Sequence, residues 1–246
     1  MNNFKNWVLV VVSIILSLGI IVSSAIMTNG FIKVKETKNE LVVKGSSKQQ
    51  IKSDLVVWTG SFSYESANLS DAYLGIKESE RKVKAYLQKS GVEEDQIVMS
   101  SINTIKLNKR LPYGNGYSNE VEKYRLVQDV KIESKEIDKI TQISRKSTDL
   151  INEGVEFESY PPSYLYTKLA DLKVEMIGKA TKDAKERAQK MLEVTGNSVG
   201  KLNSARVGIF QITPLYSNEV SDYGINDNSS IDKEITAVVT CSFEVK

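Results

Sequence analysis

The sequence predicts an α+β fold: antiparallel sheets with helices packed on one face, preceded by a single N-terminal transmembrane helix. Three observations predict it. Residues 7–27, WVLVVVSIILSLGIIVSSAIM, are uncharged and almost purely apolar. Beyond Lys33 the chain is polar, and short alternating apolar runs are joined by turn formers, which favours antiparallel pairing. Three longer stretches carry apolar residues at helical spacing instead. The predicted division is a short cytoplasmic tail at 1–6, an anchor at 7–27, a linker at 28–40 and an α+β domain at 41–246.

At about 1.5 Å per residue, a helix over 7–27 is long enough to cross a bilayer core of roughly 30 Å. It is apolar on every face, unlike the amphipathic helix of a soluble core. A cleaved signal peptide is the competing reading, because Ser23 and Ala25 are small residues at cleavage spacing. No cysteine lies just beyond the run, so lipid attachment there is excluded. Lys5 precedes the span and Lys33, Lys35 and Lys38 follow it. Charge counting alone would keep the domain in the cytoplasm, but long domains translocate largely regardless of such charges.

Residues 41–45 and 49–53 read as extended runs around a Gly45-Ser46-Ser47 break. Residues 54–65 read as a strand with Val56, Trp58, Phe62 and Tyr64 on one face and Gly60 as a candidate bulge. Ser66 and Asn68 are helix-start residues. The helix predicted over 69–90 gathers Ala72, Ile76, Val83 and Leu87, and Gly91 ends it. Runs at 96–109 and 120–134 flank turn formers at 112–117 and predict a long hairpin. A helix over 136–152 stops at Gly154, and a strand over 155–160 stops at Pro161-Pro162. The longest helix, 168–195, carries Leu172, Met176, Ala180, Ala184, Ala188 and Met191 or Leu192 in a narrow stripe before Gly196. Strands over 202–216 and 233–245 close the chain around a polar loop. The order is ββ-α-ββ-α-β-α-ββ, without internal repeats at solenoid spacing.

The net charge is +2, with lysines and acids interleaved, so there is no basic stripe for nucleic acid. There is no histidine. That removes Ser-His-Asp and Cys-His catalysis and most zinc and copper sites. The single cysteine, Cys241, cannot form an intramolecular disulfide. It falls in phase with Ile235, Ala237, Val239, Phe243 and Val245, which predicts a buried small residue rather than a reactive thiol.

The long helix and its exit carry a recognisable pattern. Ala180-Thr181-Lys182-Asp183-Ala184-Lys185-Glu186-Arg187-Ala188-Gln189-Lys190-Met191 is followed by Gly196-Asn197-Ser198-Val199-Gly200-Lys201. This resembles the alanine-repeat helix and Gly-x-x-Val-Gly-Lys exit of the SIMPL-domain family, bacterial envelope proteins related to the 28-kDa outer-membrane or periplasmic immunogens. Val43-Lys44-Gly45 with Lys52-Ser53-Asp54-Leu55-Val56-Val57 resembles its opening strand pair. Ser90-Gly91-Val92 with Asp95-Gln96-Ile97 resembles its first helix exit. The resemblance covers residues 41–246. It implies export, an α+β fold, self-assembly and links to envelope stress tolerance, and it supplies no catalytic residues. The chain departs from the family in its Lys-rich composition and its N-terminal span.

Within the 217–232 loop, Glu219, Asp222, Asn226, Asp227, Asn228 and Asp232 supply oxygen ligands. An EF-hand phase from Asp222 fails, because the glycine is misplaced and position twelve is Lys233. The loop is expected to be solvated and mobile. Tyr113, Tyr117, Tyr160, Tyr164, Tyr166, Tyr216 and Tyr223 cluster near strand ends and turns. Tyrosine suits protein contacts, and Tyr113, Tyr117, Tyr216 and Tyr223 are the speculative contact residues. Packing within the domain is the plainer role for the group. The adjacent acids Glu93 and Glu94 would serve acid–base chemistry only inside a cleft. No catalytic, metal or cofactor residues are assigned. The sequence therefore reads as a non-enzymatic, membrane-tethered extracytoplasmic protein. It acts through homo-oligomerisation or contacts with other envelope proteins, and not on nucleic acid. A module that binds a small molecule or a cell-wall fragment is the alternative, and a carboxylate hydrolase the third reading.

Overall fold

The computed structural model describes residues 2–36, 39–111 and 116–246. Its elements are mixed α and β, with two sheets and, among the described residues, four α-helices. Helix α1 covers Asn2–Glu36, so it continues past the apolar block into residues expected as linker. Its stretch Val11–Thr28 is apolar and long enough to cross a membrane, and none of it is buried. Ser17 and Thr28 return their hydroxyls to the carbonyls of Ser13 and Ser24, so these polar groups are satisfied within the helix.

The chain, α1 included, divides into two compact units. The larger holds Lys48–Met176 and Ile209–Ala237. Its strands are β2 (Leu55–Ser66), β3 (Ile97–Met99), β4 (Asn103–Arg110), β5 (Tyr117–Ser134), β6 (Glu156–Ser159) and β7 (Ser163–Leu165). Together they form a six-stranded sheet in the order β3-β5-β2-β6, with β4 also on β5 and β7 also on β2. The β4–β5 pairing ends at Arg110↔Tyr117, which is the hairpin predicted. Helices α2 (Leu69–Lys89) and α3 (Ile137–Lys146) share this sheet's core. Val56, Trp58 and Phe62 are buried with Ala72, Ile76, Val83 and Leu87 and with Val130, Ile132 and Ile140. Asn68 caps α2 by accepting from the Ser70 amide at 2.8 Å, and Gly91 leaves it at φ +85.

Several sequence expectations are corrected in this unit. Gly60 is no bulge: β2 pairs β5 without interruption from Val56↔Ser134 to Ser66↔Tyr124. Its missing side chain instead admits the Phe157 ring, whose Cζ would lie 2.3 Å from an added Cβ. Tyr64 keeps its expected face, lying against Gly75 of α2, but near the end of β2 it is only partly covered. Helix α3 gives way at Ser147 to a 3-10 stretch, Ser147–Glu153. Thr141, Ser144 and Ser147 each return a hydroxyl to a carbonyl three or four residues back, a competition that loosens α-helical bonding. After Pro161-Pro162 the chain rejoins β2 as β7, with Leu55 opposite Leu165. Prolines lack the N–H for a ladder, so they interrupt the edge without ending it.

The smaller unit holds Met1–Ser47, Ile177–Gly208 and Val238–Lys246. It takes in most of α4 (Leu169–Glu193), strand β8 (Val199–Val207), and parts of β1 (Glu40–Lys52) and β11 (Asp232–Val245). The Gly-Ser-Ser sequence does not break β1. Gly45 is where the strand meets the helix: an added Cβ would sit 2.1 Å from the Ala180 carbonyl oxygen and 2.7 Å from the Ala184 Cβ. Asp183 accepts the Ser46 amide at 2.7 Å and pairs with Arg187 at 2.8 Å. Ala180, Ala184 and Ala188 are fully buried, and the last stripe position is Leu192 rather than Met191. Cys241 is buried beside Val239 and Phe243, as its phase predicts. Burial pushes its thiol pKa up, away from the thiolate form that reacts.

Candidate functional site

The most exposed apolar side chains of the larger unit lie on the segment between β9 (Gln211–Pro214) and β10 (Ile225–Asn226). The expected single strand over 202–216 is split by Gly208, whose amide bonds Val238, and resumes as β9. Strand β10 returns parallel to β9, with Ile225 opposite Gln211. The Gln211 side chain holds the loop from within. Its Nε2 donates to the Ser221 carbonyl at 2.7 Å, and its Oε1 accepts from the Ile225 amide at 2.9 Å. The loop expected to be mobile is thus tied to the strand at both sides of its tip.

Two tyrosines project from this frame. Tyr216 is 88% exposed and Tyr223 is 96% exposed, with Val220 between them at 79%. Tyr216 stands at φ +63, a left-handed conformation that an L side chain adopts at a cost of roughly 1–2 kcal/mol. It follows Leu215 in a turn closed by the Ser217 amide on the Pro214 carbonyl. Gly224 takes φ +87 and passes the Ile209 side chain so closely that an added Cβ would lie 2.8 Å from it. Beside Tyr223 is a hollow of 420 Å³ lined by Leu169, Lys173, Ile209, Phe210 and Ile225. The Lys173 ammonium lies over the Phe210 ring, 5.5 Å from its centroid.

The structure does not gather the other tyrosines here. Tyr117 is exposed at the start of β5, and Tyr113 lies outside the described residues. Tyr164 is buried, its hydroxyl 3.0 Å from that of Thr141. Tyr160 stands beside Glu158, whose charge raises the phenol pKa. Glu93 and Glu94 are exposed. Among the described residues no three of the metal-ligating acids or thiols converge.

One residue escaped the sequence reading. Lys233 is only 2% exposed. Its ammonium donates to the carbonyl oxygens of Tyr164, at 2.6 Å, and Asp227. Burial pushes its pKa down and the charge of Asp227 partly opposes this. The signal was present: Lys233 is in phase with Ile235, Ala237 and Val239 on the inward face of β11, where strand alternation puts every second side chain. Asp227 receives the Ser229 amide and hydroxyl on Oδ1. Burial pushes its pKa up, but these bonds and the nearby lysine together hold it below the usual carboxylate range.

The comparisons bear on identity rather than on chemistry. Among curated proteins none matches the chain. A family model described as SIMPL, protein of unknown function (DUF541), matches residues 41–243. That stretch takes in the Gly45 strand, the alanine-striped α4 and Cys241. The chain therefore belongs to the SIMPL family, whose function is unknown.

Proposed function

We propose that this is a membrane-tethered, extracytoplasmic protein of the cell envelope that works by self-association, with the Tyr216–Tyr223 loop as its contact face and envelope stress tolerance as its setting. The observation that carries the proposal is the backbone at Tyr216. A large aromatic side chain is held almost wholly in solvent, in a conformation that favours glycine. Strain of this kind persists only where surrounding bonds fix it, and it concentrates at binding sites. The second support is the apolar span Val11–Thr28. Copies anchored in one bilayer meet in two dimensions, so a modest contact suffices for assembly.

Chemical crosslinking and light scattering of the full chain in detergent micelles test this. Oligomers are expected at micromolar concentration. Replacing Tyr216 and Tyr223 together by serine is expected to weaken assembly at least tenfold, about 1.4 kcal/mol. A parent protein that stays monomeric throughout would refute the reading. So would assembly unaffected by the double substitution.

A further inference from the structure

The larger unit contains a second, more enclosed cavity, which shares Leu169, Ile212 and Asn226 with the hollow beside Tyr223. Its volume is 240 Å³, and Lys233 lines it together with Ile51, Leu55, Leu165, Ile212 and Asn228. Tyr166, Thr167, Leu169 and Asn226 complete the lining, so one cationic residue contributes to a wall that is half aliphatic and half polar.

An ammonium has three N–H donors. Two of those on Lys233 go to the carbonyls of Tyr164 and Asp227, and the third has no acceptor among the described residues. No carboxylate lies within ion-pair distance of it among those residues, and Asp227 acts on it only from further away. Tying two carbonyls together does not require a charge, since a neutral amide or hydroxyl does the same. A buried charge without an ion partner costs several kcal/mol. An anion entering the cavity would offset that cost and take the free N–H. The aliphatic walls add a preference for an apolar tail.

We propose that this cavity binds a short aliphatic monocarboxylate, with its carboxylate on the third N–H of Lys233 and its chain against Ile51, Leu55, Leu165 and Ile212. Size sets the length. At roughly 30 Å³ per water-sized atom, the space holds about eight non-hydrogen atoms. Hexanoate fits that count and decanoate exceeds it. Long-chain lipid acids are thereby separated from short free acids.

Thermal unfolding of the full chain in detergent micelles, with butyrate, hexanoate, decanoate and hexanol, tests the proposal. Hexanoate is expected to raise the midpoint by about 5 °C at a hundredfold excess over its dissociation constant. Hexanol, which partitions into micelles but carries no charge, is expected to leave it unchanged. Lys233→Met removes the donor. Leu55→Phe fills the aliphatic half and leaves the lysine in place, so it serves if the first variant does not fold. Loss of the hexanoate effect in every variant that folds supports the site. The proposal is overturned if no carboxylate shifts the parent, if hexanol matches hexanoate, if decanoate matches hexanoate, or if the shift survives in a folded variant.

Discussion

Glycines in this chain do two different jobs, and the difference predicts opposite magnitudes. At Gly45 the backbone conformation is ordinary and the constraint is space, since the Ala180 carbonyl lies 2.1 Å from where a Cβ would be. Neither the carbonyl nor the Ala184 backbone can move without shifting the helix. Gly45→Ala is expected to cost about 3 kcal/mol, the upper range for overpacking. At Gly154 the reverse holds: φ is +79 and nothing lies within 4 Å of an added Cβ. Gly154→Ala therefore costs only the left-handed strain, about 1 kcal/mol. Urea midpoints of the two variants check the order. Equal losses would mean that the helix does not hold Gly45 as described. The sequence marks Gly154 as a helix stop and Gly45 as a break, and only the tertiary neighbours show that one position is limited by conformation and the other by space.

Helix α2 shows how an element can stabilise itself through one partly covered acid. Glu80 lies largely buried on its surface and receives Lys77 from one turn before and Lys84, at 2.8 Å, from one turn after. Burial pushes the carboxyl pKa up, but the hydrogen bonds from the two lysines outweigh it and hold the pKa below the ordinary value. The folded pKa is thus the lower of the two states. The contribution is complete above the ordinary carboxylate range and disappears as pH falls through the lowered folded value. Glu80→Gln is expected to cost roughly 1 kcal/mol at neutral pH, the sum of two such helix pairs with partial burial. In strong acid the parent and variant should converge. A stability gap that stays constant from neutral to strongly acidic solution would show that the ion pairs contribute nothing.

For the whole molecule the decisive question is the side of the membrane on which the body stands. The span is apolar and unburied, while the lysines that follow it favour the cytoplasm and the proposed envelope role requires export. Protease added to intact spheroplasts is expected to digest residues 41–246. Their survival until the membrane is broken would place the body inside and remove the envelope proposal. Mass spectrometry of the mature N-terminus separates an anchor from a cleaved signal in the same preparation.

Composition located the apolar span, turn formers the β4–β5 hairpin, and periodicity the α2 and α4 stripes and the buried position of Cys241. These are local patterns, and each residue's neighbours in sequence decide which face it takes. Partners distant in sequence decided the rest. The Gly45-Ser46-Ser47 sequence looks like a break but stays in the strand, because Asp183 of α4 accepts the Ser46 amide. Gly60 looks like a bulge but makes room for Phe157. Lys233 begins a predicted strand in phase with its apolar face, but that its ammonium ends among backbone carbonyls from two other segments is decided by those segments. The strained turn at Tyr216 carries no sequence signature, since glycine or asparagine would be expected there. Sequence fixes what one segment can do with itself, whereas burial, close approach and strain arise only when segments far apart in the chain compete for the same space.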